Sequence, residues 1–284
     1  PVPLRRRRHH RLKPGRRAGA PVGPGTDQAA RLVADHTDRV TDPEHDQRIR
    51  AAAAKGFGRG AGDYEQARPS YPAAAVDHIV EGCALGPGRV VGDVAAGTGK
   101  LTRLLVPCGA EVSAVEPVPE MRAELVRVLP RVEVLDGTAE DLPLMSASVD
   151  AVTVAQAFHW FDAPAALGEA HRVLRLGGWL VLVWNVRDSS VDWVRRFGDL
   201  LVEAGGAKPY EEGTDWPAVV AAHGGFTVLD QARFANPQRL AADDLVARAA
   251  STSFVSALPD DEREACLDGV RDLVATHADL AGRS

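Results

Sequence analysis

Arg89-Val90-Val91-Gly92-Asp93-Val94-Ala95-Ala96-Gly97-Thr98-Gly99-Lys100-Leu101-Thr102 opens as a short apolar run, passes through a glycine turn and continues into a helical pattern. Gly97 and Gly99 lack a Cβ, so the backbone there can turn with positive φ and come close to a ligand. The helix that follows presents unpaired N–H groups at its start. A phosphate-cradling loop needs G-x-x-x-x-G-K-[ST]; five residues before Gly99 stands Val94, and Leu101 follows Lys100. That reading fails at both ends. A dinucleotide fingerprint needs G-x-G-x-x-G/A, and Thr102 occupies the third small position. Asp93, inside the strand, suits a ligand with a cationic group and sugar hydroxyls better than one led by a pyrophosphate.

Outward from this stretch, strands and helices alternate. A helix from Lys100 to Val106 leads to a second strand, Glu111 to Val115, which ends on Glu116. That carboxylate lies where a βαβ unit places an acceptor for two ribose hydroxyls. A helix from Pro117 to Leu129, a third strand Val132 to Leu135, and a fourth strand Asp150 to Ala155 follow. Asp162 caps a helix from Ala163 to Leu174 that Gly177-Gly178 ends, and Trp179 to Val186 is near-continuously apolar, as a strand covered on both faces should be. The pattern predicts an α/β fold with a doubly wound parallel sheet. Carboxylates at consecutive strand ends put a ligand in the crevice outside the carboxyl edge of the sheet.

The chain has 284 residues, 45% hydrophobic and 25% charged, with a net charge of −6. Such a composition indicates a globular enzyme-sized core and no general attraction to nucleic acid. Cys83, Cys108 and Cys266 form neither a metal cluster nor a disulfide framework, which suggests a reducing, cytoplasmic compartment and no metal. No apolar run approaches the roughly 18 residues of a membrane span. Residues 1–55, with Arg5 to Arg8 and many prolines and glycines, read as a disordered basic tail. Residues 56–186 then form the cofactor-binding core, and 187–284 a largely helical region that covers the crevice and selects the partner molecule, with helices at Val191 to Ala204, Ala241 to Ala250 and Asp260 to Ala275 and a strand at Phe226 to Phe234. Arg187 and Arg248 could meet an anionic ligand, since guanidinium forks match carboxylates.

Asp93-Val94-Ala95-Ala96-Gly97-Thr98-Gly99 resembles the first motif of class I S-adenosylmethionine-dependent methyltransferases, in which an acidic residue precedes G-x-G-x-G. Ala95 stands where the first glycine of that motif normally does. Two further segments carry the likeness: Asp136-Gly137-Thr138-Ala139-Glu140-Asp141-Leu142-Pro143, and Ala155-Gln156-Ala157-Phe158-His159-Trp160-Phe161, the latter similar to the group that includes trans-aconitate methyltransferase. The resemblance implies a Rossmann-like sheet with S-adenosyl-L-methionine held by Asp93, Ala95, Gly97, Thr98, Gly99, Glu116, Pro117, Met121, Thr138, Ala139, Glu140, Ala155 and Gln156. It also implies that Tyr64 and Arg68, in a segment ending Arg-Pro-Ser-Tyr-Pro, face the methionine carboxylate. Trp160, Arg187 and Arg248 fall on the side of a small-molecule methyl acceptor, bound through a carboxylate or hydroxyl oxygen. His159, whose ordinary pKa is near 6.5, is the candidate base, with Gln156 beside it. A final antiparallel strand is implied after the last helix, and no stretch before Ser284 supplies it. The residues leave an NAD(P)-dependent oxidoreductase and a non-catalytic cofactor-binding protein open as alternatives. They do not give the oligomeric state.

Overall fold

β2 (Val90–Val94) is the centre of the fold, because it is the middle one of five strands that run parallel. The computed structural model describes residues 2–6, 68–205, 214–228 and 230–280. Around β2 lie β1 (Val2–Arg6), α1 (Ala73–Gly82), α2 (Thr102–Leu105), β3 (Glu111–Val115), α3 (Pro119–Val128), β4 (Glu133–Leu135), β5 (Val149–Ala155), α4 (Ala163–Val173) and β6 (Leu174–Val183). The chain continues through α5 (Asp192–Glu203), α6 (Trp216–Ala222), β7 (Phe226–Val228), α7 (Ala242–Ala250), α8 (Ser253–Ser256) and α9 (Asp260–Thr276). The strands form one sheet in the order β4-β3-β2-β5-β6-β1-β7.

Alternation along the strands divides the core. Val94, Val152, Val154, Leu180 and Leu182 face one side, with Leu167, Ala170 and Val173 of α4 and Val220 of α6. Val91, Ala151, Val181 and Val183 face the other, against Ile79 of α1, Cys83 just after it, and Leu101 and Leu105 at α2. Period-2 alternation with apolar residues on both faces is what a sheet sandwiched by helices requires. A third cluster is wholly helical: Phe197 and Leu201 of α5, Leu245 and Ala249 of α7, Val255 of α8 and Leu267, Val270 and Leu273 of α9. It forms the cap over the carboxyl edge.

Three expectations need correction. The glycines at 177 and 178 do not end α4. That helix stops at Val173 and β6 starts at Leu174, so the pair lies inside the strand. Gly177 has φ +82 and a Cβ on Gly178 would sit 2.9 Å from the carbonyl oxygens of Arg175 and Asp150; the pairing slips at this point, between Val149↔Leu174 and Ala151↔Trp179. What reads as a helix stop is an irregularity in the strand pairing. The strand expected over Phe226 to Phe234 is only three residues long.

The third correction concerns Val2–Arg6, which belongs to the stretch read as a disordered tail. These residues are a strand, antiparallel to β6 on one side and to β7 on the other. The place of the final antiparallel strand is therefore taken from the opposite end of the sequence. The rest of the basic tail, and Tyr64, lie outside the described residues.

Among the described residues β7 joins the sheet through β1 alone. Removing residues 1–6 should therefore leave β6 and β7 with unpaired edges. At about 1 kcal/mol per net hydrogen bond, a loss of about 3 kcal/mol or more is expected, a fall in Tm on the order of 10 °C. Scanning calorimetry of the shortened chain checks this.

Candidate active site

The carboxylate of Asp93 is buried at the end of β2. It accepts hydrogen bonds from the Thr102 hydroxyl at 2.6 Å and the Thr153 hydroxyl at 2.7 Å, and from the Thr102 backbone N–H. One side chain thus joins β2, the first turn of α2 and β5. Burial pushes its pKa up to about 6 against the pull of those three donors. Thr102, which spoils the dinucleotide fingerprint, has a constructive role here. Thr153 was not among the sequence candidates, although a lone hydroxyl in the apolar run Asp150 to Ala155 is a signal of a buried partner.

Between β2 and α2 the turn is held from below. Glu116, also buried, accepts the N–H of Gly97 at 2.8 Å and that of Val118 at 2.9 Å. Burial raises its pKa, while those two N–H donors and Arg122 oppose the rise. Arg122 extends the network: it donates to the Glu116 carbonyl at 2.8 Å and forks onto Asp136 at 2.8 and 2.9 Å. Asp136 was quoted in a motif but not singled out.

Gly97 has φ +58 with nothing within 4 Å of a Cβ placed there, so its outer face is open. Gly99 has φ +83, and a Cβ there would press on Leu129 at 3.1 Å and Leu125 at 3.2 Å, so this glycine is needed for packing as well as for the turn. Ala95 has φ +53 and Gln156, at the end of the neighbouring β5, φ +60. Both are left-handed, a conformation that costs a residue with a Cβ roughly 1–2 kcal/mol. Side chains held in this way at a crevice are a mark of functional sites.

Above the turn lies a cavity of about 1510 Å³. Arg68, Asp93, Ala95, Gly97, Thr98, Ala155, Gln156, His159, Trp160, Arg187 and Arg248 line it, so most of the expected site residues meet around one cavity. Gly99, Glu116, Pro117, Met121, Thr138, Ala139 and Glu140 do not. Met121 is 2% exposed, Ala139 packs in the sheet core, and a Glu140 carboxylate oxygen accepts the Asp162 N–H at 2.9 Å. Sequence reasoning passed over the segment from Ala232 to Gln238, which forms part of the wall. It is tied down by Asn236, whose amide donates to the Ser70 carbonyl at 2.8 Å and the Asn185 side chain at 2.9 Å, and by Asp230, paired with His78 at 2.7 Å.

His159 sits in a 3-10 turn, Phe158–Trp160, just after β5. The Trp184 indole donates to its Nδ1 at 3.4 Å, and Trp184 itself stacks on Trp216 with ring centroids 5.8 Å apart. An accepting Nδ1 puts the proton of the neutral ring on Nε2. Burial pushes the pKa down to about 4, so the ring is neutral at pH 7.

A family model described as a methyltransferase domain matches residues 92–182, the span from β2 to β6. The chain is 43% identical over 225 residues to an uncharacterized methyltransferase of Mycobacterium tuberculosis, covering 79% of this chain and 88% of the relative. It belongs to the class I S-adenosylmethionine-dependent methyltransferases. An uncharacterized methyltransferase of Schizosaccharomyces pombe is 35% identical over 206 residues, 71% of this chain and 80% of that one. Among solved structures, a methyltransferase ascribed to an antibiotic biosynthesis pathway of Anabaena variabilis superposes with a TM-score of 0.57 at 25% identity, over 72% of this chain and 86% of that chain. As a class I methyltransferase the chain is an enzyme, which removes the oxidoreductase and non-catalytic alternatives. The chemistry of the cavity fits the family's cofactor: the Asp93 carboxylate reaches its wall, and the open face of Gly97 leaves room for close approach.

Two outcomes are expected at the turn. Ala95→Gly relieves left-handed strain at some entropic cost, for a net gain of up to about 1 kcal/mol and a Tm rise of about 2–4 °C by calorimetry. Asp93→Asn tests the buried carboxyl. Its folded pKa of about 6 lies above the ordinary 3.8, so its contribution to stability is complete only well below pH 3.8 and is lost as pH rises through about 6. The stability of the native chain relative to Asp93→Asn should therefore fall by about 2 kcal/mol between pH 4 and pH 7 in urea titrations.

Proposed function

We propose that this enzyme transfers the methyl group of S-adenosyl-L-methionine to an oxygen of a small-molecule acceptor enclosed under the helical cap. The observation that carries the reading is the single cavity joining the strand-end residues Asp93, Ala95, Gly97 and Gln156 to the cap residues Arg187, Arg248 and Phe254. Its volume exceeds the ~300–1,000 Å³ of a pocket for one small ligand, which leaves room for donor and acceptor together. In this reading residues 56–186 hold the cofactor and 187–284 cover the acceptor. Three free thiols, two of them buried, fit a reducing cytoplasm.

S-adenosyl-L-methionine, when bound, supplies a methyl group on a sulfonium. The chain's own part is to hold the reactants in line, an effect that can supply roughly 7–11 kcal/mol. Asp93 and Glu116 fix the turn, Ala95 and Gln156 offer backbone at the ends of adjacent strands, and Arg68 and Tyr64 are assigned to the methionine carboxylate. His159, neutral and with its proton on Nε2, acts as a hydrogen-bond donor that orients the acceptor. The lowered pKa makes it a poorer base than an ordinary histidine. Trp160, beside it on the wall, gives the acceptor an apolar surface.

Calorimetric titration with S-adenosylhomocysteine should give micromolar binding, and Arg68→Ala should weaken it several-fold. Unchanged affinity in the variant removes Arg68 from the cofactor site, and no binding to the native chain overturns the reading. With an acceptor found by transfer of labelled methyl, kcat should be flat from pH 5.5 to 8. A break near pH 6.5 would restore His159 as a base.

A further inference from the structure

Residues 230–238 run from the sheet, which the chain leaves after β7, toward the cap helix α7, and residues 232–238 line the cavity. Their exposure alternates with period two. Asp230, Ala232, Phe234 and Asn236 are half-buried, and Gln231, Arg233 and Ala235 between them are exposed. That is the pattern of an extended chain with one face laid against the protein. Pro237 contributes to it, because the residue before a proline is steered to extended backbone and the proline itself has no N–H to offer a helix. Among the described residues, however, the stretch pairs with no strand and shows no backbone–backbone hydrogen bond.

Its inward side chains fasten it. At one end Asp230 pairs with His78 Nε2 of α1 at 2.7 Å, and the Phe234 ring lies against the same imidazole with centroids 5.4 Å apart. At the other end the Asn236 amide donates to the Ser70 carbonyl at 2.8 Å and to Asn185 Oδ1 at 2.9 Å. The Asn185 amide donates to the same Ser70 carbonyl at 3.3 Å, and the Gln156 amide donates to the Asn185 carbonyl, also at 3.3 Å. Gln156, Asn185, and the neighbours of Ser70, Pro69 and Tyr71, all line the cavity. Asn236 therefore ties the stretch both to the segment before α1 and to the residues that follow β6.

A segment held by sheet pairing opens only when the sheet does, whereas one held by a few side-chain bonds opens locally. Here β7 stays paired with β1, and α7 keeps Leu245 and Ala249 in the helical core, whether or not the stretch between them is seated. We propose that residues 230–238 are a strap that lifts to admit and release S-adenosyl-L-methionine, with Asn236 as its latch. The proposal rests on the cofactor reading above and adds the route by which the cavity fills. Lifting breaks the two Asn236 bonds and the Asp230–His78 pair, and closing remakes them over the bound cofactor. Gating of this kind slows entry and exit together. At the usual net strength of a hydrogen bond, removing both Asn236 bonds raises the lifted fraction on the order of tenfold.

Stopped-flow mixing with S-adenosylhomocysteine tests this, read by the fluorescence of Trp160, Trp184 and Trp193 on the cavity wall. Asn236→Ala should raise the association and dissociation rate constants alike, each on the order of tenfold, and leave Kd within about twofold of the native value. Asp230→Ala, which loosens the other end, should shift both rates in the same direction. A side chain that only touches the cofactor changes dissociation and Kd, and one that only supports the fold changes Tm, so neither gives paired acceleration. Unchanged rates in both variants overturn the proposal. Faster dissociation alone also overturns it, by making Asn236 a cofactor contact. Failure of the native chain to bind S-adenosylhomocysteine is a different result, and it sinks the cofactor reading itself.

Discussion

The triple hydrogen bond to the Asp93 carboxylate is the constraint on which the site depends. A carboxylate this deeply buried is expensive to keep, and it is tolerated because two hydroxyls and a backbone N–H converge on it. Those donors come from the start of α2 and the middle of β5, so the same charge that faces the cavity also fixes the angle at which helix and strand leave β2. Glu116 does the corresponding task one strand over, through backbone N–H groups of the glycine turn and of the segment before α3. Both acids are structural braces of the turn. Their substitution therefore affects folding and binding together.

Much of this was legible in the sequence, and the reasons are specific. Val90–Val94, Glu111–Val115 and the run ending at Ala155 read correctly as strands because buried parallel strands are continuous apolar runs between turn residues. The cap on α4 was readable from Asp162, whose carboxylate accepts the Ala165 N–H at 3.2 Å. Features that depend on partners distant in sequence were not readable. The lone hydroxyl of Thr153 signals a buried partner, but nothing local names that partner as Asp93, sixty residues away. Nothing around Gly177-Gly178 reveals that the carbonyls of Asp150 and Arg175, and not the end of a helix, exclude a side chain there. Trp184 looked like strand filler, yet its indole selects the tautomer of His159.

The cavity is also a product of attachment. The cap helices have a core of their own, and polar contacts tie the cap and the segment before it to the sheet domain: Arg68 to Ser251, Asn236 to Ser70 and Asn185, His78 to Asp230. Polar seams between apolar bodies resemble transient interfaces more than domain cores. Such a boundary lets a ligand enter where a continuous apolar core would not.

The edge of the sheet has a consequence in time. Leu4 pairs with Val228 and Val2 with Leu182. β1 has therefore left the ribosome long before either of its neighbours exists, and it must wait through the synthesis of the whole parallel sheet. Pairings this distant in sequence are late events, because the loop they close is long and its entropy is lost at once. Until β1 docks, β6 is an open edge and β7 has no strand to join, and open edges recruit other chains. Docking of the first strand is thus the step that closes the sheet.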